Sequence, residues 1–266
     1  MKKKNQTPDL KRRAFMEKIL KGTIAGSVFL VIPAGPLICK IPEQIKGIRG
    51  NKYEMTSKKF AFIVDITSCI GCGSCCVADK REYNVPDHNY RTWVERYIKD
   101  YDDKVYVDSP NGALDGYHGP RKDIKKPIRD TFFVPKLCNM CKEPSCVQVC
   151  PVGATFKTPD GFVLIDKKHC VGCGYCIQAC PYSARFLNPE TNSADKCTWC
   201  YHRVRKGLVP ACVNACPTGA RQFGDLNDKN SNVFKKLNGP GVISVLKKEM
   251  GNQPALYYQG LRREVI

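Results

Sequence analysis

The chain has 266 residues, 17 of them cysteine, and 43 Lys and Arg against 25 Asp and Glu give it a formal net charge of +18. That length buries a sizeable core as one domain or two. Cysteine at this density excludes an ordinary soluble enzyme and leaves a disulfide framework or metal binding, while the basic excess on its own points to nucleic acid or a membrane surface.

Residues 1–50 open with a twin arginine, Arg12-Arg13, followed by a modest apolar run from Thr23 to Ile38. A basic segment before a short apolar region is the layout of an export signal, and the run is slightly short for a full membrane span. Its low hydrophobicity, with Gly22, Gly26, Ser27 and Pro33, favours a twin-arginine signal that carries folded proteins across a membrane. No A-x-A cleavage site follows, so both a removed signal and a retained anchor helix stay open. Ile38 is bulkier than a lipoprotein signal permits before Cys39.

Residues 51–130 begin with a strand-like run, FAFIVDITSC from Phe60 to Cys69, that leads into the first cysteine group. There Cys69-x2-Cys72-x2-Cys75 is followed by Cys76, and Asp79 stands where a fourth cysteine is expected. From Arg81 to Asp130 lies an insertion. Val105-Tyr106-Val107 favours a β-ribbon in its first part, and PNGALDGYHGP reads as loop. Tyr90, Trp93, Tyr97 and Tyr101 are expected to pack over the cysteine domain.

Residues 131–190 carry Cys138-x2-Cys141-x4-Cys146-x3-Cys150-Pro151, a strand-like Phe162–Ile165, and Cys170-x2-Cys173-x2-Cys176-x3-Cys180-Pro181. Residues 191–226 hold Cys197-x2-Cys200-x11-Cys212-x3-Cys216-Pro217. In the tail, 227–266, NVFKKLNGPGVISVLKKEMG reads as helix, turn and second helix, and PALYYQGLRREVI as an extended closing arm.

C-x2-C-x2-C-x3-C-P is the bacterial ferredoxin signature, in which three cysteines wrap one cubane and the fourth serves a partner cluster. A tight loop converges three sulfurs, and glycines such as Gly71, Gly73, Gly172 and Gly174 allow its dihedrals. A short helix then carries the fourth sulfur away. Zinc ribbons need only two C-x2-C pairs and do not generate this repeat. Disulfides gain little from thiols so close in sequence, and folded export lets a cytoplasmically filled site reach an oxidising compartment. The S-adenosylmethionine radical spacing C-x3-C-x2-C is absent. Four oxidised cubanes at roughly −2 each would bring +18 to about +10, so part of the basic excess balances clusters and nucleic acid is not expected. Repeated strand, cluster loop and short helix predict an α+β fold of two ferredoxin-like lobes with inserted loops.

With CIGCGSC, NVPDHNYRTWV, FFVPKLCNMCKEPSCVQVCPVGAT, CVGCGYCIQACPYSARF, KCTWCYHRV and ACVNACPTGAR in view, residues 59–226 resemble the four-cluster iron–sulfur subunits of polysulfide, tetrathionate and dimethyl sulfoxide reductases. The resemblance implies that motifs one and four share one lobe and motifs two and three the other. Set one would be Cys69, Cys72, Cys75 and Cys216; set two Cys138, Cys141, Cys146 and Cys180; set three Cys170, Cys173, Cys176 and Cys150. Set four would take Cys197, Cys200 and Cys212 and look to Asp79. It would be a [4Fe–4S] cluster with a non-cysteine ligand, a [3Fe–4S] cluster, or one completed by Cys76. The implied function is one-electron relay between a molybdopterin-type catalytic subunit and a membrane subunit that binds quinone. Two alternatives share the four-motif plan: the exported ferredoxin subunit of a quinone complex without molybdenum, and a freely diffusing exported ferredoxin. An oxidoreductase with its own organic cofactor has little support, since no G-x-G-x-x-G follows a strand and no P-loop is present. His88, His118, His169 and His202 are dispersed and read as structural or exposed.

Overall fold

In a computed structural model of the protein, residues 58–265 are described. The twin-arginine segment, the signal or anchor helix expected of it and Cys39 lie outside them.

The run FAFIVD forms β1 (Phe60–Asp65), in which every residue after Phe60 is buried. A strand apolar on both faces needs cover on both sides and a neighbour on each edge. One edge pairs antiparallel with β9 (Arg221–Asp225), just beyond motif four. The other pairs parallel with β11 (Leu256–Gln259), and β10 (Ile243–Ser244) adds outside β11. Motif one thus leaves a strand that lies beside the exit from motif four.

The insertion makes a second sheet, ordered β3-β2-β4, from β2 (Thr92–Asp100), β3 (Val105–Asp108) and β4 (Ile128–Leu137). The expected ribbon is present, and its register is fixed by side-chain pairs. Tyr97 stacks on its cross-strand partner Phe132 at 5.1 Å between ring centroids, and Arg96 grips its partner Asp108 with two hydrogen bonds of 2.9 and 2.7 Å. Tyr97 is buried, whereas Tyr101 is exposed. Two hairpins complete the strands, β5 (Thr155–Lys157) with β6 (Val163–Ile165) and β7 (Phe186–Asn188) with β8 (Ser193–Asp195).

The helices are short: α1 (Ser74–Tyr83), α2 (Ser145–Gln148), α3 (Tyr175–Gln178), α4 (Tyr201–Val204), α5 (Ala211–Asn214) and α6 (Asn232–Leu237). α1 packs on α5, and α2 on α3. The second helix expected in the tail is instead β10 and a 3-10 turn at Lys248–Met250. Gly239-Pro240-Gly241 interrupts the helix, and the β-branched Val242, Ile243 and Val245 suit a strand better than a helix. The closing arm is an internal strand, with Leu256 and Tyr258 fully buried. At the centre, Trp199 packs against Phe62, Phe162 and Phe223, which joins motif four to both β1 and β9 and to the segment leading into β6.

Candidate metal centres in four cysteine loops

Each cysteine loop turns through a left-handed residue placed just before its second cysteine: Gly71 (φ 69°), Met140 (φ 42°), Gly172 (φ 70°) and Trp199 (φ 52°). Glycine takes this conformation freely. At Gly172 it is also required sterically, because a Cβ there would lie 2.5 Å from the Asn192 carbonyl oxygen. Met140 and Trp199 adopt it against their intrinsic preference and are held by packing. Both are buried. The Val163 amide donates to Met140 Sδ at 3.3 Å, and Trp199 Nε1 donates to the Cys138 carbonyl at 2.8 Å. After Gly73 and Gly174, both left-handed, the backbone enters α1 and α3.

All sixteen cysteines among the described residues are free. One cavity is lined by Cys69, Cys72, Cys75 and Cys216 together, with Arg221 in its wall. Cys141 has Cys138, Cys146 and Cys180 as its electrostatic neighbours; burial, with their negative charge, raises its pKa well above a free thiol's. Around Cys197, buried completely, lie Asp79, Cys212 and Cys200, and burial again pushes the thiol up. Cys170 and Cys173 lie in the loop leading into α3, Cys176 stands in its first turn, and Cys150 follows α2, which packs on α3. Cys72 and Cys173 are exposed, whereas Cys138, Cys141, Cys197, Cys200 and Cys212 are buried.

Donors are aimed at these sulfurs. Backbone amides reach Cys150 from Thr155, Cys170 from Ala194 and Cys200 from Ala211, each at 3.4 Å, and Cys197 from Trp199 at 3.3 Å. The Arg185 guanidinium reaches Cys146 Sγ at 2.9 Å. N–H donors of this kind stabilise thiolate and cluster sulfur. Other buried donors find no acceptor among the described residues. Arg221 Nε and Nη1 and the Asn139 side chain, inside the second loop, have no hydrogen-bond partner among the described residues. Orphaned N–H groups beside gathered thiols fit a group that brings its own anionic sulfur.

Asp79 lies on α1, 3% exposed. Burial raises its carboxyl to about 6, against the pull of Arg91 and Arg221. It is an electrostatic neighbour of Cys197, Cys200 and Cys212, and also of Cys75 and Cys76 in its own motif. Cys76, on the same helix, touches the neighbouring cysteine. Its sulfur is 3.9 Å from Cys75 Sγ, and this contact holds the Cys75 thiol low and its own high, burial adding to the second effect. Asp79 thus lies among thiols of the fourth and the first set, while the Cys76 sulfur rests against Cys75.

Sequence reasoning missed a group of buried cations, Arg91, Arg185, Lys196 and Arg221. Two were signalled by a repeat: the arginines of Cys180-Pro-Tyr-Ser-Ala-Arg185 and Cys216-Pro-Thr-Gly-Ala-Arg221 stand at the same offset from their cysteines. The four histidines are exposed; His202 bonds to Glu82 at 2.6 Å.

Buried thiols gathered by tight left-handed loops, with N–H donors facing sulfur, define an iron–sulfur protein of the ferredoxin type. Models of the 4Fe-4S dicluster domain match residues 68–154 and 129–226. The B subunit of tetrathionate reductase from Salmonella typhimurium is 38% identical over 254 residues, 95% of this chain and 89% of that protein. Its counterpart in Archaeoglobus fulgidus is 44% identical over 217 residues, 81% of this chain and 89% of that protein. The B component of polysulfide reductase from Wolinella succinogenes is 35% identical over 207 residues, 76% and 94% respectively. The protein belongs to this family of iron–sulfur electron-transfer subunits of reductases.

Proposed function

We propose that the chain holds four clusters on the ligand sets given above and serves as the electron relay of an exported reductase complex. When bound, the clusters supply one-electron carriers; the protein's own residues fix their order, their insulation and their contacts. The observation that carries this reading is a gradient of exposure along the sets. Lys196, fully buried, has both Cys138 of set two and Cys197 of set four as neighbours, and its Nζ donates to the Cys197 carbonyl at 2.9 Å. Arg221 lies beside Cys75 and Cys212, so set one neighbours set four. Arg185 lies beside Cys146 and Cys176, so set two neighbours set three. The order one, four, two, three puts the exposed Cys72 and Cys173 in the terminal sets and most of the buried thiols in the middle. Ile70 and Val171, the residues after the first cysteines of those outer loops, are 59% and 64% exposed, which suits contact with a partner at either end.

At set four, the Asp79 carboxylate completes the ligation, because it is the group at the fourth position of motif one that faces those thiols. The partners are a molybdopterin-type catalytic subunit and an integral membrane subunit that binds quinone, as the resemblance to the iron–sulfur subunits of reductases implies. Arg12-Arg13 supports export by the twin-arginine route to the outer face of the membrane. Among the described residues, no helix is long and apolar enough to cross a membrane.

Three measurements test this. Iron and acid-labile sulfide should correspond to four clusters per chain; one or two clusters would end the four-set reading. The purified chain should show cluster absorbance and no reduction of tetrathionate or polysulfide on its own; turnover without a partner would contradict a relay. Replacement of both Arg12 and Arg13 by Lys should retain the protein in the cytoplasm; continued export would remove the twin-arginine assignment.

A further inference from the structure

Arg185 and Arg221 occupy equivalent places in the two halves of the cysteine pattern. Each follows the fourth cysteine of its motif by the same interval, in C-P-Y-S-A-R and C-P-T-G-A-R. Each precedes or begins a short strand, β7 or β9. Each is almost completely buried, at 5% and 2% exposure. The thiols around them are also equivalent. Arg185 bonds to Cys146 and has Cys138 and Cys176 as further thiol neighbours, so it faces both motifs two and three. Arg221 sits between Cys75 and Cys212, the third cysteines of motifs one and four. Arginine is charged at any pH the protein meets.

Among the described residues, the hydrogen bonds of neither guanidinium go to a carboxylate. Arg185 donates to Thr155 Oγ1 at 3.2 Å and to Cys146 Sγ at 2.9 Å. Arg221 donates to Thr92 Oγ1 at 2.8 Å, and its Nε and Nη1 have no partner among the described residues. A buried guanidinium with two idle donors is costly unless an anion meets it. Here the anion is the thiolate and cluster charge on either side.

From this repeated geometry, and resting on the ligand sets proposed above, we infer that Arg221 and Arg185 are potential-setting residues, each shared by the two clusters of its half. Arg221 raises the reduction potentials of sets one and four together, and Arg185 those of sets two and three. Uptake of one electron adds one negative charge to a cluster, and a fixed cation in a low-dielectric site favours the more negative state. Because each arginine neighbours both members of a pair, it lifts them together relative to the other pair and leaves the difference within its own pair largely unchanged. Neither residue supplies a ligand to iron; both are positioning residues for charge.

The test is a mediated potentiometric titration of the full-length, cluster-loaded chain, read by electron paramagnetic resonance. The signals are first assigned to sets with single Cys→Ser ligand variants. Arg221→Gln should lower sets one and four by at least tenfold in reduction equilibrium constant, about 59 mV for one electron, and leave sets two and three in place. Arg185→Gln should do the reverse. Arg221→Lys and Arg185→Lys keep the charge and should stay near the wild-type potentials. Unshifted potentials in a Gln variant, or equal shifts of all four sets, overturn the inference. If a Gln variant loses iron, its Lys variant and the other arginine's pair decide, and a Lys variant shifted as far as Gln counts against the charge. Iron content of the wild type reports separately on the four-set reading, since a shortfall there appears before any arginine is changed.

Discussion

Asp79 is a carboxylate among thiols on the buried face of α1, and its chemistry follows from that position. Oxygen is a harder donor than sulfur, so under the proposed ligation the iron at Asp79 would be held less firmly than one with four thiolates. Asp79→Ala is expected to remove one iron per chain and to give the oxidised-state signal of a three-iron centre. Asp79→Cys should retain the full iron and keep that signal absent. An Ala variant with undiminished iron would free Asp79 of any ligand role. Trp199 shows a second single-residue effect. It holds a left-handed backbone that glycine holds in loops one and three, and its Nε1 ties that loop to the Cys138 carbonyl. Trp199→Phe keeps most of the ring stacking and loses this bond, which should cost about 1 kcal/mol of stability in denaturant titrations.

Among the elements, β1 and the turn after it aim the first cysteine loop. Asp65 ends β1 and caps the 3-10 turn Ile66–Ser68, accepting from Thr67 N at 3.1 Å and Thr67 Oγ1 at 2.6 Å. Lys236 on α6 adds an ion pair at 3.3 Å. Burial raises the affinity of this carboxyl for a proton, but hydrogen bonds from Thr67 and Lys236 outweigh it and leave the pKa below 3.8. A depressed carboxyl stabilises the fold above its unfolded pKa and loses that contribution as pH falls through the folded value. Asp65→Asn keeps an acceptor for the cap but loses the charge on its bonds to Thr67 and Lys236, which should cost about 1 kcal/mol at neutral pH, a gap that narrows in thermal melts as the pH drops below 3.8. Legibility also divides by element. The cysteine loops, β1 and the ribbon of the insertion could be read from spacing, glycine placement and β-branched runs, because their causes are local. The tail could not. Its second helix failed to form because Val242, Ile243 and Val245 follow a Gly-Pro-Gly break, and β11 became an internal strand because β1 had an edge to cover, which no local pattern records. Met140 and Trp199 in left-handed turns were equally hidden, since only long-range packing holds them there.

Across the whole molecule, the aromatic cluster around Trp199 and the buried cations stand among sets of thiols that would otherwise repel one another as thiolates. Cys197 and Cys212 are completely buried, and burial raises both thiols above their ordinary value. A fold built around so many ligands is expected to depend on its metal. Anaerobic removal of iron with a chelator should lower the melting temperature strongly and broaden the transition; an apoprotein melting with the holoprotein would show that the thiols are passengers. The function class was legible because cysteine spacing is dictated by cluster geometry. The proposed place of Asp79 at the fourth set rests on the family resemblance rather than on spacing. Arg185, Lys196 and Arg221 were not legible, because a lone basic residue in sequence carries no mark of being buried between two sites. The proposed relay places four one-electron centres in one chain. Spin integration of the fully reduced, full-length protein by electron paramagnetic resonance tests that most directly. Close to four spins per chain, appearing in one-electron steps during reduction, is the predicted result; two or fewer would contradict it.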